Sequence, residues 1–197
     1  MKKYYSILMF CLALTACQPS TTENDSPQDH NHHKSIKDET TTDKPKKILS
    51  PRKQAMANIG DVHIHIDYSS PSKRGRTIWN GLVAYGQVWV TGAHKATSID
   101  FSGDVSINGK TIKKGKYAFF TIPDNSKWTL ILNKNYEQHL ADDYDIQQDI
   151  IRVEVSPESL EESIESLTYQ VVATGSKEGF ISVSWDTLSV QLPINVQ

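Results

Sequence analysis

The sequence predicts an all-β domain, an antiparallel, jelly-roll-like β-sandwich of about nine or ten short strands, behind a signal peptide and a disordered tether. Three observations carry that expectation. From Ile48 onward, apolar and polar residues alternate with period two in one short run after another. Turn signals separate the runs too closely for crossover helices, as an antiparallel topology requires. No stretch of this region sustains a 3.6-residue period.

The leader comes first. Met1-Lys2-Lys3 precedes an apolar run over residues 4–14 and then Thr15-Ala16-Cys17. A basic start, a short apolar run and small residues at a cut site make a secretory signal. The run is too short to span a bilayer, which takes roughly 20 apolar residues. Leu14-Thr15-Ala16-Cys17 resembles a bacterial lipobox, in which the cysteine thiol accepts a diacylglycerol and cleavage follows before it. Residues 1–16 are then the signal peptide and Cys17 the lipidation site. Two or more acyl chains hold a protein on a membrane stably, where one is marginal. Gln18 follows the cysteine, so the aspartate that resembles an inner-membrane retention signal is absent. The expected address is the cell envelope, on the outer membrane, facing either the periplasm or the surface.

The tether follows, over residues 17–47. After Cys17, Ile36 is its single strongly apolar side chain among Thr, Ser, Asp, Glu, Lys and His. Such a segment buries too little apolar surface to offset chain entropy, so disorder is expected. Within it, His30, His32 and His33 suit weak divalent metal binding, and no other cofactor is implied.

The domain occupies residues 48–197. Val62, Ile64, Ile66 and Tyr68 alternate with His63, His65 and Asp67, the pattern of a half-buried first strand. Further strands are expected at 97–101, 105–107, 117–122, 128–132, 151–155, 167–173, 180–185 and 188–194. Asn108-Gly109 supplies the positive φ of a tight hairpin, and residues 113–116, 124–126 and 175–179 serve as turns. Ser156-Pro157-Glu158 could cap a single helical turn, and residues 135–148 could hold another.

Composition narrows the function. The chain has 21 basic and 23 acidic residues, a formal charge of -2, so no dedicated nucleic-acid surface is expected. At 38% hydrophobic and 22% charged residues it is too polar for a multi-span membrane protein. Both cysteines, Cys11 and Cys17, precede the domain, which excludes a disulfide framework or a cysteine zinc site in its body.

One stretch is more specific than any periodicity: Tyr68-Ser69-Ser70-Pro71-Ser72-Lys73-Arg74-Gly75-Arg76, then Leu82-Val83-Ala84-Tyr85-Gly86-Gln87-Val88-Trp89, then Thr91-Gly92-Ala93. It resembles the signature of domain-of-unknown-function family 2911, common in Bacteroidota envelope lipoproteins. The resemblance runs from about residue 50 to residue 194. It takes in Lys114-Gly115-Lys116-Tyr117, Phe120-Thr121-Ile122-Pro123, the Trp128 strand, and Tyr144, Asp145 and Asp149 before Arg152-Val153. It implies architecture and address but no activity. Tyr144, Asp145 and Asp149 are implied to pin a loop. Where the family often has an arginine after the tryptophan, this chain has Val90. Where Asn-Glu often follows Gly-Ala, it has His94-Lys95. A site built on those positions is altered here.

Several constellations could carry chemistry. His63, His65 and Asp67 project from one strand face, and two imidazoles at that spacing can share a zinc with Asp67 or His94. The same spacing also describes the solvated face of an amphipathic strand. Asp142, Asp143, Asp145 and Asp149 cluster oxygens of the kind calcium takes, but without the glycine and terminal glutamate of an EF-hand. Lys73-Arg74-Gly75-Arg76 is a basic turn beside aromatic residues, and arginine's planar fork suits carboxylate or phosphate. The alternative is that Arg76 folds inward onto a structural carboxylate. No Gly-x-Ser-x-Gly elbow and no phosphate loop is present.

The leading expectation is a lipid-anchored envelope module that binds a ligand, such as an acidic envelope glycan, or a partner protein through Tyr68, Arg76, Trp89 and His94. The alternatives are a metal-dependent hydrolase of envelope material using His63, His65 and His94, or a purely structural envelope protein.

Overall fold

The computed structural model describes residues 49–196. The expected signal peptide, Cys17 and the tether with His30, His32 and His33 lie outside the described residues. Ten strands make up the domain: β1 (Arg52–Ile59), β2 (Val62–Ser69), β3 (Thr97–Phe101), β4 (Val105–Ile107), β5 (Lys110–Ile112), β6 (Gly115–Ile122), β7 (Trp128–Asn133), β8 (Asp149–Val155), β9 (Glu158–Ala173) and β10 (Glu178–Val196). A six-stranded sheet has the order β1-β2-β3-β6-β7-β8, and a four-stranded sheet the order β5-β4-β10-β9. Every pairing between named strands is antiparallel. The larger sheet is a meander broken once, where the chain leaves β3, builds the β4–β5 hairpin on the other sheet, and returns as β6.

Local chemistry explains most of these elements. In β2 the residues Val62, Ile64, Ile66 and Tyr68 are buried and His63 is exposed, so the period-two pattern selects the core face. The β4–β5 hairpin turns through Asn108 and Gly109, both at positive φ (48° and 77°), which is the type I′ geometry that matches strand twist. The core lies between the sheets, where Ile64, Ile66, Ile99 and Phe119 meet Tyr169, Ile181, Val183 and Leu192. A second, smaller apolar cluster forms on the opposite face of β6 and β7. There Val90, Ala118, Phe120 and Ile131 are covered by Tyr136, Ala141 and Tyr144.

Three expectations need correction. The strand at Val62 is the second, not the first. β1 precedes it and pairs with it from Arg52 opposite Ser69 to Ile59 opposite Val62. Ser156-Pro157-Glu158 starts no helix. It joins β8 to β9, whose Glu158 and Ser159 already pair with Ser189 and Leu188. The runs at 180–185 and 188–194 are one strand, β10, bent at an irregularity around Asp186, whose φ is 52°. The bend lets β10 pair with β9 along most of its length and with β4 at its end, Asn195 opposite Ser106. The loop over residues 134–148 does hold a short 3₁₀ turn, Ile146–Gln148, capped by the Asp145 side chain.

Candidate functional site

The connection from β2 to β3, residues 70–96, is far longer than the hairpin turns elsewhere, and long loops on a rigid scaffold are where binding residues concentrate. Its first part is sewn to β9. Leu167 donates its N–H to the Pro71 carbonyl (2.9 Å), Lys73 donates to the Glu165 carbonyl (2.7 Å), and Ser72 bridges Ser166. Lys73 pairs with Asp186 and also donates to Ser163 Oγ at 2.9 Å. These contacts fix the turn that presents Arg74 and Arg76.

The middle of the loop makes a tight reversal, with Val83 donating to Ile78 and Asn80 donating to Val83 (both 2.9 Å), anchored by fully buried Ile78. The last part runs beside β6. Trp89 and Thr121 exchange backbone hydrogen bonds at 2.8 and 3.0 Å, which fixes the Trp89 backbone against β6.

A cleft of about 380 Å³ results. Its floor is aromatic, made by Trp89 and Trp185 stacked at 5.9 Å and 22°. Trp79 packs on both edge-on and also against Trp128, so all four tryptophans form one cluster. The lining indole N–H groups are committed to the backbone, Trp89 to Gly92 and Trp185 to Glu165, at 3.1 and 3.2 Å. Val83, Val90 and Pro71 continue the apolar lining, and Leu49, Leu82 and Leu140 edge it. Arg74, Arg76 and His94 supply its charged and titratable groups.

Among the described lining residues the charged side chains, Arg74 and Arg76, are both basic. Arg74 donates through Nη2 to the Leu49 carbonyl (2.6 Å). Arg76 donates through Nε to the Lys73 carbonyl (3.0 Å) and through Nη2 to the Ser72 carbonyl (2.7 Å). Among the described residues neither guanidinium lies within ion-pair distance of a carboxylate. The nearby Glu165 carboxylate accepts instead from the Arg74 backbone N–H at 2.9 Å. Arg76 is exposed and does not fold inward onto a structural carboxylate.

Backbone strain gathers at the same place. Arg74, His94 and Leu140 line the cleft with φ of 50°, 61° and 51°. Thr91, between the lining residues Val90 and Gly92, has φ of 49° and is fully buried. A β-branched residue in that region is an outlier, and such strain persists only where surroundings over-determine it. Here they do. The Thr91 carbonyl accepts from Tyr169 Oη (2.7 Å) and Thr97 Oγ1 (3.1 Å), and its hydroxyl lies 3.0 Å from Thr121 Oγ1. Gly92 is required beside it, because a Cβ there would sit 2.9 Å from Thr97 Oγ1.

Three of the four residues expected at a ligand site, Arg76, Trp89 and His94, thus line one cleft. Tyr68 does not. The alternation that buries Val62 and Ile66 also turns Tyr68 inward, where its ring meets Tyr169 at 4.6 Å and its oxygen accepts from the Tyr169 N–H. Val90 and His94 both line the cleft. Leu49, Leu82, Leu140 and Trp185 were not expected there. Leucines at polar loop positions carry no signal in a single sequence, and Leu49, Leu140 and Trp185 come from distant segments.

Among the described residues His63 and His65 gain no third metal ligand. His63 and His65 stay on β2, with His63 Nδ1 2.8 Å from Asn58 Oδ1 and Asp67 paired with Arg52. His94 lies instead beside His139, ring centroids 6.5 Å apart. Among the described residues no group of three or more His, Cys, Asp or Glu side chains could hold a metal ion. Tyr144, Asp145 and Asp149 pin the acidic loop, with Asp145 capping the 3₁₀ turn. Tyr144 donates to Asp149 Oδ2 at 2.6 Å, Arg152 pairs with the same oxygen at 3.1 Å, and Asn133 donates to Oδ1 at 2.8 Å. Burial, first, and then the Asp149 carboxylate push the Tyr144 phenol well above its ordinary pKa.

No curated protein and no solved structure matches the chain. The model of one family does, over residues 50–194, a span that contains the whole β2–β3 loop and every lining residue except Leu49, so the chain belongs to the family described as protein of unknown function DUF2911.

Proposed function

We propose that this chain is a lipid-anchored envelope protein whose sandwich is a binding module, taking a small anionic ligand in the cleft beneath Arg74 and Arg76. The observation that carries the reading is two guanidiniums, bonded among the described residues only to backbone carbonyls, at the mouth of a cleft floored by tryptophan. A guanidinium held by carbonyls keeps its full charge and its remaining N–H donors, and its planar fork matches a carboxylate or phosphate. The formal charge of the chain is -2, so the attraction is local rather than a field of the whole molecule. The lipobox-like quartet ending at Cys17 supports the envelope address.

The test is Arg76→Ala, followed by tryptophan emission during titration with small carboxylates and phosphates. The wild type should respond saturably to at least one of them. The variant should bind it about ten- to a hundredfold more weakly, the loss expected for a charge-assisted contact of roughly 1.5–3 kcal/mol. Because among the described residues the Arg76 guanidinium reaches only two local carbonyls, the fold should survive. An unfolded variant, or no response to any anion, would reject the reading.

A further inference from the structure

We infer that the ligand of this cleft is a single-chain amphipathic anion, an aliphatic body of about ten to twelve carbons ending in a carboxylate or phosphate, and not an acidic sugar. The inference rests on the binding reading above and adds the chemistry of the uncharged part.

The lining decides against a sugar. Among the described residues Ser50 carries its only hydroxyl, and no carboxylate or amide side chain lines it. A saccharide entering there would lose water from several hydroxyls and find few acceptors, a net cost. The apolar rim decides for an aliphatic chain. Among the described residues five large hydrophobics are exposed, and three of them, Leu49 (56%), Leu82 (47%) and Leu140 (38%), edge this one cleft. They come from three separate segments, so a local accident of sequence does not explain their convergence. Apolar surface gathered at a concave site is where an apolar ligand gains most by leaving water.

Size and charge agree. On the scale by which a cavity of about 150 Å³ accepts benzene, 380 Å³ accepts about fifteen non-hydrogen atoms, close to dodecanoate. The cationic groups of the lining complement one anionic head, and among the described residues no acidic lining residue repels it. The chemistry is shared by a free amphipathic acid and by the acyl end of a membrane lipid.

The experiment uses the full-length chain carrying Cys17→Ser, so that no attached lipid competes, and reads tryptophan emission, since Trp89 and Trp185 line the site. Dodecanoate, galacturonate and inorganic phosphate are titrated separately. Two variants accompany them: Arg76→Ala, and Leu140→Asn, which removes rim aliphatic surface while suiting the positive φ at that position. Dodecanoate should bind saturably, about tenfold more weakly in each variant, with galacturonate and phosphate far behind. Displacement of bound dodecanoate by phosphatidylglycerol vesicles, but not phosphatidylcholine vesicles, would support a membrane lipid as the source. Binding undisturbed by either vesicle would support a free acid. If galacturonate or phosphate binds as well as dodecanoate, with sensitivity to Arg76→Ala and none to Leu140→Asn, the aliphatic ligand is overturned and the anion cleft stands. If no probe gives a response sensitive to Arg76→Ala, both readings fall.

Discussion

Tyr169 donates its phenolic proton to the carbonyl of Thr91 at 2.7 Å, across 78 residues of sequence. Tyr169 belongs to β9 in the smaller sheet, and Thr91 is the strained residue behind the cleft floor. The bond therefore ties the conformation of the site to the packing of the two sheets.

Tyr169→Phe should cost about 1–2 kcal/mol, measured as a shift in denaturant midpoint at unchanged slope. The loss stays modest because Thr97 Oγ1 still donates to the same carbonyl. Burial, the larger influence, pushes the Tyr169 phenol well above its ordinary 10.0, so the fold favours the neutral form. A folded-state pKa raised above the unfolded one leaves stability constant below about pH 10 and removes it as pH climbs beyond. Denaturant midpoints should therefore fall between pH 9 and 11, and less steeply in Tyr169→Phe. An identical alkaline slope in both proteins would show that the loss arises elsewhere.

Lys73→Met should destabilise the domain and weaken the cleft together. The change strands the Asp186 carboxylate, whose side chain is only 17% exposed, with Ser163 as its remaining side-chain donor. The expected cost is about 1–3 kcal/mol. It also frees the turn carrying Arg74 and Arg76, so affinity for the cleft probe should fall although Lys73 does not line the cleft. Chemical denaturation and probe titration on the same preparation check both effects.

Gly179→Ala tests how tightly the β9–β10 hairpin is closed. Gly179 is buried opposite Ala173, and an added Cβ would collide with the Val172 carbonyl and sit 2.6 Å from Ile59 Cδ1. A backbone oxygen cannot rotate away, so the substitution should cost about 1–3 kcal/mol or more. A calorimetric transition at the wild-type temperature would show that the hairpin yields.

Cys17→Ser should abolish incorporation of labelled fatty acid and release the protein from the membrane fraction, because serine does not supply the thiol that takes the lipid. Continued labelling of the variant would reject the lipid anchor.

Legibility in the sequence varied with how local each cause is. β2 was readable because each inward residue is apolar and its outward-facing positions His63, His65 and Asp67 are polar. β1 was not. Its Arg-Lys-Gln-Ala-Met-Ala-Asn-Ile has one buried residue, Ile59, and it is a strand because β2 offers an edge to pair with. The first half of β9, with Glu158, Glu161 and Glu162 exposed, is hidden for the same reason: β10 imposes its extended form. In the site, Arg76, Trp89 and His94 were readable from one loop, whereas Tyr68 shares the inward face of Val62, Ile64 and Ile66, and the alternation that buries them keeps it out of the cleft.

The sequence by itself determined the all-β class, the inward face of the alternating strands, the Asn108-Gly109 turn and the family, since each depends on residues within a few positions of one another. Only the tertiary structure decided that β10 is one strand shared by β9 and β4, and that Leu49, Leu140 and Trp185 meet Arg76 across one cleft. The physical reason is that side-chain period is a property of the local backbone. Convergence depends instead on strand order and on strained loop residues such as Thr91, whose conformation is held by Tyr169 from the opposite sheet.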